Sequence, residues 1–434
     1  MMRVPAFATE LDDERWLAGR AVAILLQPLQ LLTAAPTLLF LAALAAMLLR
    51  HPDVPFYEID RVAFLLLLVG VAARAVVMRE PLLFIARASW PMMGLILLAG
   101  GSLIVQPFDC EACSLLAAKF VVPFALFHIS GIVFTREKGF RQFEIFVLVT
   151  LAYLSFTAIA FLVGAQSLIF PRFILDPSLG HHADRARGPL LQAVANGVSL
   201  NVLGLLAVHA YRRGRAGEIK AWLLMASLPV AVLATMTRAV WLAFAGSVLA
   251  LAFVVKSRAL RRNCLLFSLV AGAGLAMLFV TDYGSTLRER MQERGPVEYR
   301  TAVYAGGWEM FLQKPLIGWG FHRMPEELPR HVDGYREKVL YPHNTYLEIL
   351  VEHGIVGLAF YFWLMLELLR LGRGSMPKGE GSSFLNREFH LLWPILLAVY
   401  WVNAAVVVMS YQFVNGLIFT MAGMLAAQRR RAEA

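Results

Sequence analysis

The sequence predicts an all-helical (all-α) polytopic membrane protein with about 12 transmembrane helices, and three observations lead there. Of 434 residues, 59% are hydrophobic and only 16% are charged. The mean hydropathy is +0.63. Apolar runs long enough to cross a bilayer recur from one end of the chain to the other. A soluble domain of this size has no interior able to hide so much apolar surface.

The runs lie at 20–49, 62–78, 90–106, 115–134, 143–165, 189–211, 219–236, 239–256, 263–281, 344–370, 389–408 and 411–428. The first is longer than a straight span requires and holds Pro28 and Pro36, so it is either one kinked, tilted helix or two short segments. Charge placement bears on the choice. With the N-terminus inside, the inner segments carry Arg136, Lys138 and Arg141, then Arg212, Arg213, Arg215 and Lys220, then Lys256, Arg258, Arg261 and Arg262, and finally Arg429, Arg430 and Arg431. The outer segments 107–114 and 409–411 carry no Lys or Arg, and 237–238 carries only Arg238. The positive-inside rule governs short loops, so both termini are expected in the cytoplasm. Arg15 and Arg20, just before the first run, favour its reading as a single span.

Two outer segments are long, 166–188 and 282–343. The second is expected to be a large outer loop, with short helices inserted before the span at 344–370. No composition break marks off a soluble domain and no repeat is visible, so residues 1–434 are expected to form a single integral membrane domain. Gly372 to Ser383 reads as a flexible inner linker. The net charge of +10 is chiefly a topology signal and a means of contact with anionic lipid. It does not point to nucleic acid, because no basic patch is interleaved with exposed aromatics. Of the three cysteines, Cys110 and Cys113 share a short outer loop. There they form either a small clip or two idle thiols.

The chemistry-bearing residues gather on the outer face. Pro342-His343-Asn344-Thr345-Tyr346-Leu347 places an imidazole at the mouth of a span, directly after the longest polar loop. A titratable group in that position is a functional candidate. Asn344 reads as an N-cap, and the positive end of the helix dipole would keep His343 a neutral proton acceptor. The plainer reading, a helix-start signal, accounts for Pro342 and Asn344 but leaves His343 without a role. Arg238 stands in a turn of almost no length between two apolar runs, where a guanidinium binds an anion or snorkels. Arg300 opens a small-residue stretch expected to be a surface or re-entrant helix ending at Lys314-Pro315; it is either an anion fork or a solvated charge. Pro315, Gly318 and Gly320 are expected to turn the chain back toward the site. Arg185 and Arg187 read as phosphate clamps, with Asn196 a polar contact inside the following helix. His181, His182 and Asp184 lack the spacing of a zinc site, so no metal is expected.

Together these residues resemble the bacterial O-antigen ligase and O-antigen polymerase superfamily. Its hallmark is His-Asn-x-x-Leu-x4-Glu-x-Gly-x-x-Gly after a large periplasmic loop, which reads here as His343, Asn344, Leu347, Glu352, Gly354 and Gly357. Arg300 followed by Trp308, then Pro315, Gly318 and Gly320, is similar to the segment entering that loop, and Thr237-Arg238 also fits. The Arg185 to Asn196 segment matches more loosely, since the usual Asn-Pro-Asn is replaced by Ala193-Val194-Ala195-Asn196.

Size, span count and one dominant loop look most like the ligase branch. That resemblance implies a glycosyltransferase of GT-C type in the bacterial inner membrane, acting on the periplasmic side without metal, cofactor or nucleotide sugar. The implied donor is a glycan (O-antigen) on undecaprenyl pyrophosphate, and the implied acceptor is the lipid A–core oligosaccharide of lipopolysaccharide. It also implies His343 as the catalytic residue, with Arg238, Arg300, Arg185, Arg187, Asn344 and Asn196 toward pyrophosphate or glycan. An O-antigen polymerase or a protein O-oligosaccharyltransferase would keep the same His-Asn motif. A lipid or glycan transporter would instead be expected to show paired repeats and helices broken at the bilayer midplane.

Overall fold

The computed structural model describes residues 35–51, 59–79, 85–180, 182–215, 217–254, 258–280, 295–332, 340–373 and 383–433. Among them there is no strand. The helices are α1 (Pro36–Leu48), α2 (Ile59–Met78), α3 (Ser89–Ile104), α4 (Cys110–Val133), α5 (Glu137–Leu162), α6 (Ala193–Arg212), α7 (Glu218–Ala234), α8 (Arg238–Val254), α9 (Arg258–Val280), α10 (Gly295–Gln313), the short α11 (Met324–Glu327), α12 (Thr345–Leu371), α13 (Arg387–Ala404) and α14 (Gln412–Glu433). Each predicted apolar run holds a helix over its described part. Four of these helices, α4, α5, α6 and α12, are long and apolar enough to cross a membrane; α1, α3, α8 and the Leu223–Ala234 part of α7 are apolar but shorter. The expected span at 20–49 begins outside the described residues, and its helix starts at Pro36, where the missing N–H costs nothing in a first turn. Parts of the linker (374–382) and of the long outer loop (282–294 and 333–339) also lie outside them.

α6 forms the centre. It packs against α5, α7, α8 and α13 and is buried nearly all round. A helix with no solvent or lipid face must satisfy its polar side chains internally. Asn201 accepts a hydrogen bond from the Ser247 hydroxyl of α8 at 2.9 Å. Ser199 donates to the Ala195 carbonyl at 2.8 Å. The His209 ring pairs with the Phe384 carbonyl at 2.8 Å. Around α6, α4 packs on α14, and α12 packs on α3 and α10.

The C-terminal end of α6 is held by charge. Arg212 meets Glu388 with both arms of its fork, one bond at 2.7 Å. Arg213 reaches Glu144 and, at 2.8 Å, Glu137, while Arg215 also pairs with Glu137. Bidentate geometry and partial burial let such pairs hold the starts of α5 and α13 against α6.

α12 is broken in its third turn. Gly354 has φ 62° and ψ −163°, which no helix contains. A break inside a bilayer frees backbone groups that cost several kcal/mol each if left unpaired. Residues 315–320 fill the break with their own backbone. The N–H groups of Trp319 and Gly320 donate to the carbonyls of Val351 and Glu352 at 3.0 and 2.9 Å. The N–H groups of Ile355 and Val356 donate to the carbonyls of Pro315 and Leu316 at 2.9 and 3.2 Å. Two chain segments can approach this closely only without side chains. A Cβ on Gly354 would collide with the Leu316 carbonyl, and one on Gly318 with the Glu352 carbonyl. Residues Pro315, Gly318 and Gly320, expected to turn the chain back toward the site, are thus a splice into the helix itself.

Side chains brace the splice. Buried Glu352 accepts from the His322 N–H at 2.9 Å, and Ser102 of α3 accepts from the Phe321 N–H at 2.9 Å. Lys119 of α4 pairs with Glu348 of α12. It stands in a π-helical turn over Ala117–Val121, placed where Pro123 removes the next helical donor. Cys110 and Cys113 are exposed free thiols in the first turn of α4.

Replacing Gly354 with Ala is expected to destabilise the purified protein by about 2 kcal/mol or more, from left-handed strain plus the clash. A thermal midpoint in detergent equal to that of the native protein would show that the break does not need glycine.

Candidate active site at the head of α12

His343 stands immediately before α12. Asn344 caps that helix as expected, its side-chain oxygen accepting from the N–H groups of Tyr346 at 3.0 Å and Leu347 at 3.2 Å. This spends the acceptor of the amide that had been assigned to substrate. His343 itself is half-buried and has φ 46°, a left-handed conformation that a residue with a Cβ adopts only under constraint. The constraint comes from α10. The Tyr299 hydroxyl donates to the Tyr341 carbonyl at 3.3 Å and accepts from the Tyr341 N–H at 3.2 Å, which pins the chain two residues ahead of His343. The Tyr299 ring also meets the His343 ring edge-on, with centroids 6.0 Å apart.

Arg300 is the next residue along α10, so the helix that clamps His343 carries the arginine as well. The expectation that Arg300 opens this helix is corrected, since the helix begins at Gly295 and Arg300 lies in its second turn. The expected end before Lys314-Pro315 is found, with Gln313 the last helical residue. One turn beyond Arg300, Tyr304 donates to the Ala405 carbonyl at 3.3 Å.

That bond reaches the turn at 405–411, between α13 and α14, which is the hub of the site. Thr345 donates to the Val407 carbonyl at 2.9 Å and accepts from the Met409 N–H at 3.0 Å. Asn415 donates to the Met409 carbonyl at 3.0 Å. Tyr411 hydrogen-bonds Gln192, the N-cap of α6, whose side chain accepts from the Val194 N–H at 3.5 Å. Segment 182–192 is thereby brought to the His343 face. It also touches α7, the Ala186 N–H donating to the Ala234 carbonyl at 3.0 Å. Arg238, half-buried, follows that contact as the first residue of α8.

Arg187, read as a phosphate clamp, and Asn196, read as a polar contact, both bond to the protein's own backbone. Arg187 is 1% exposed, and its guanidinium donates to the carbonyls of Ile174 (at 3.0 Å), Leu179 and Asp176. Burial pulls its pKa down from the usual arginine value, opposed by the charge of Asp176. The fork is spent on holding the 172–180 loop, so Arg187 is corrected from a phosphate clamp to a loop anchor. Asn196 is fully buried in the first turn of α6 and donates to the Ala186 carbonyl at 2.9 Å, which fixes the loop rather than facing open space. Arg185, two residues before Arg187, has a 14% exposed side chain with the Asp184 carboxylate 3.8 Å away. Among the described residues no group of three or more His, Cys, Asp or Glu side chains is placed to hold a metal.

Backbone strain marks the same face. Six described residues other than glycine have positive φ, and five of them (His182, Leu191, Met236, His322 and His343) lie in the segments just described. Such residues collect where surrounding structure enforces a functional geometry. Sequence reasoning gave no role to Tyr299, Tyr304, Thr345 or Lys119, and named Glu352 only as part of the motif. Thr345 lay within the His-Asn motif and Tyr304 one helical turn from Arg300, so spacing offered a signal for those two. Nothing in the sequence pairs Lys119 with Glu348, which are 229 positions apart.

The helical bundle thus brings an imidazole and arginines toward one end. Residues 222–362 match the family model described as O-antigen ligase, and this match supports membership of the O-antigen ligase and polymerase superfamily. The matched stretch runs from α7 into α12 and contains Arg238, Arg300 and His343, but not Arg185, Arg187 or Asn196. No curated protein matches the chain.

Arg187→Gln is expected to cost about 2–3 kcal/mol of stability, because buried carbonyls lose charged donors. Its thermal midpoint should fall before any effect on substrate affinity is seen. A lower substrate affinity at unchanged stability would restore Arg187 to the substrate contacts.

Proposed function

We propose that the protein is an O-antigen ligase that transfers a glycan from undecaprenyl pyrophosphate to the lipid A–core oligosaccharide, on the periplasmic face of the inner membrane. The observation that carries this reading is the clamping of His343 by Tyr299, one residue from Arg300, within the stretch that matches the ligase family. The proposed topology has twelve spans of GT-C type with both termini cytoplasmic, and is supported by the loop charges.

In the proposed reaction the His343 imidazole accepts the proton of an acceptor sugar hydroxyl. The hydroxyl oxygen bonds to the anomeric carbon as the bond from that carbon to the pyrophosphate oxygen breaks, with inversion. Negative charge builds on the departing undecaprenyl pyrophosphate. Arg238 and Arg300 hold that charge with planar forks, and Arg185 assists in this scheme. Positive charge fixed in a membrane-bounded site supplies the electrostatic stabilisation that a divalent cation supplies in other transferases. The break in α12 is occupied by the chain's own backbone and opens no midplane path, which supports a surface reaction over transport.

Deleting the gene from the source bacterium and examining its lipopolysaccharide on a gel tests the assignment. Core without O-antigen, with long glycan accumulating on the lipid carrier, is the expected result; core bearing one repeat unit would mean a polymerase. His343→Ala is expected to lower transfer by roughly 10²–10⁴-fold while leaving the protein in the membrane. Arg238→Lys should also impair transfer strongly, because an ammonium cannot replace a bidentate fork, and full activity there would reduce Arg238 to a snorkelling residue. Transfer should persist in chelator, and a strict magnesium requirement would contradict the arginine scheme.

A further inference from the structure

The end of α10, the splice and the lower part of α12 share one exposed apolar surface. Below its break, α12 turns Ile355, Ala359, Phe362 and Leu366 to one side at i, i+4, i+7 and i+11, with Val356 and Trp363 beside them. All six are exposed. α12 is long and apolar enough to cross a membrane, so a stripe of this kind is its lipid face. The splice extends the stripe. The N–H groups of Ile355 and Val356 donate to the carbonyls of Pro315 and Leu316, and Gly354 closes on the Ile317 nitrogen. Leu316 and Ile317 therefore lie beside the top of the stripe, and they are 67% and 66% exposed. On the other side of Pro315, Leu312 and Trp308 stand one turn apart on α10 and are also exposed.

Depth points to what covers this surface. From Thr345 to Gly354 the chain descends roughly 14 Å along α12, nearly half of a hydrocarbon core about 30 Å thick. The flanks fit a leaflet boundary. Glu309 and Gln313 occupy a neighbouring side of α10, where Glu309 meets His331 at 3.3 Å. The Lys314 ammonium lies 3.9 Å from the centre of the Trp319 ring, and its long stem lets methylenes stay in an apolar layer while the charge is met by the ring face. Trp308 is of the residue type that collects at such boundaries. We propose that the last turn of α10 and residues 314–317 dip into the leaflet on the His343 side as a re-entrant segment, with Leu312, Leu316 and Ile317 in contact with phospholipid acyl chains. The bilayer is then a partner of this segment. It holds the end of α10 from the lipid side, as the splice holds it from the protein side.

The test is photolabelling of the native full-length protein in vesicles of phosphatidylethanolamine and phosphatidylglycerol. One sample contains a phospholipid with a diazirine midway along an acyl chain, and a parallel sample contains a water-soluble diazirine. Peptide mass spectrometry locates the adducts. The acyl-chain probe is expected to label Leu312, Leu316 and Ile317 with a yield comparable to that on Phe362 and Leu366. The water-soluble probe is expected to label Glu309 and to leave Leu316 and Ile317 unlabelled. Labelling of Leu316 and Ile317 by the water-soluble probe alone would make the segment an aqueous loop and overturn the proposal. Labelling by neither probe, with Phe362 and Leu366 still reached from lipid, would mean that a second copy of the chain or another protein covers the surface, and would overturn it equally. So would absence of lipid adducts from Phe362 and Leu366 themselves, because the stripe would not then be a lipid face. The readout is contact and does not depend on which reaction the protein catalyses.

Discussion

A helix broken inside a bilayer survives only if something other than water meets the backbone groups that the break sets free. In this protein the partner is residues 315–320, whose N–H groups and carbonyls complete the ladder of α12 on both sides of Gly354. Four backbone hydrogen bonds, each worth about 1 kcal/mol net in water and more in hydrocarbon, join a surface segment to a membrane span. Everything between α10 and α12 is hung from that junction. The path from Gln313, at the end of α10, into the splice is short, so the splice sets where α10 ends. α10 in turn sets where Tyr299 and Arg300 stand.

From the junction outward, the site is assembled by contacts between segments distant in sequence. Tyr299 constrains the approach to His343, Tyr304 and Thr345 dock on the 405–411 turn, and Tyr411 ties that turn to Gln192 and the start of α6. Each is a hydroxyl bonded to backbone or to a capping side chain, so the arrangement fixes chain position rather than charge. The left-handed φ of His343 shows the consequence, a strained residue that the surroundings over-determine. Charge is then added at the edges by Arg238, Arg300 and Arg185. Arg187 and Asn196 hold the loop that carries Arg185.

The fold was legible because membrane helices announce themselves by run length, and every predicted run holds a helix over its described part. The cap at Asn344 and the end of α10 before Pro315 were equally legible, since both are local rules of the backbone. What composition and spacing left hidden is non-local. The glycines at 318 and 354 read as a turn and as part of a motif, yet their shared cause is one close approach between two segments. Arg187 read as a phosphate ligand because sequence gives a residue's charge and not its burial. Three carbonyls from residues 174–179 decide its role instead. Lys119 with Glu348 could not be foreseen, because nothing in either neighbourhood names the other.

The two ends of the bundle thus do different work. One gathers an imidazole and arginines around a strained loop, while the other collects cations that secure α6. The backbone splice is what positions α10 against the head of α12, and it can be measured directly. Residue-resolved amide hydrogen exchange on the purified protein should find Trp319, Gly320, Ile355 and Val356 protected as strongly as the interior of α12. Exchange of Trp319 and Gly320 at the rate of an open loop, with Ile355 and Val356 still protected, would show a continuous helix and contradict the account.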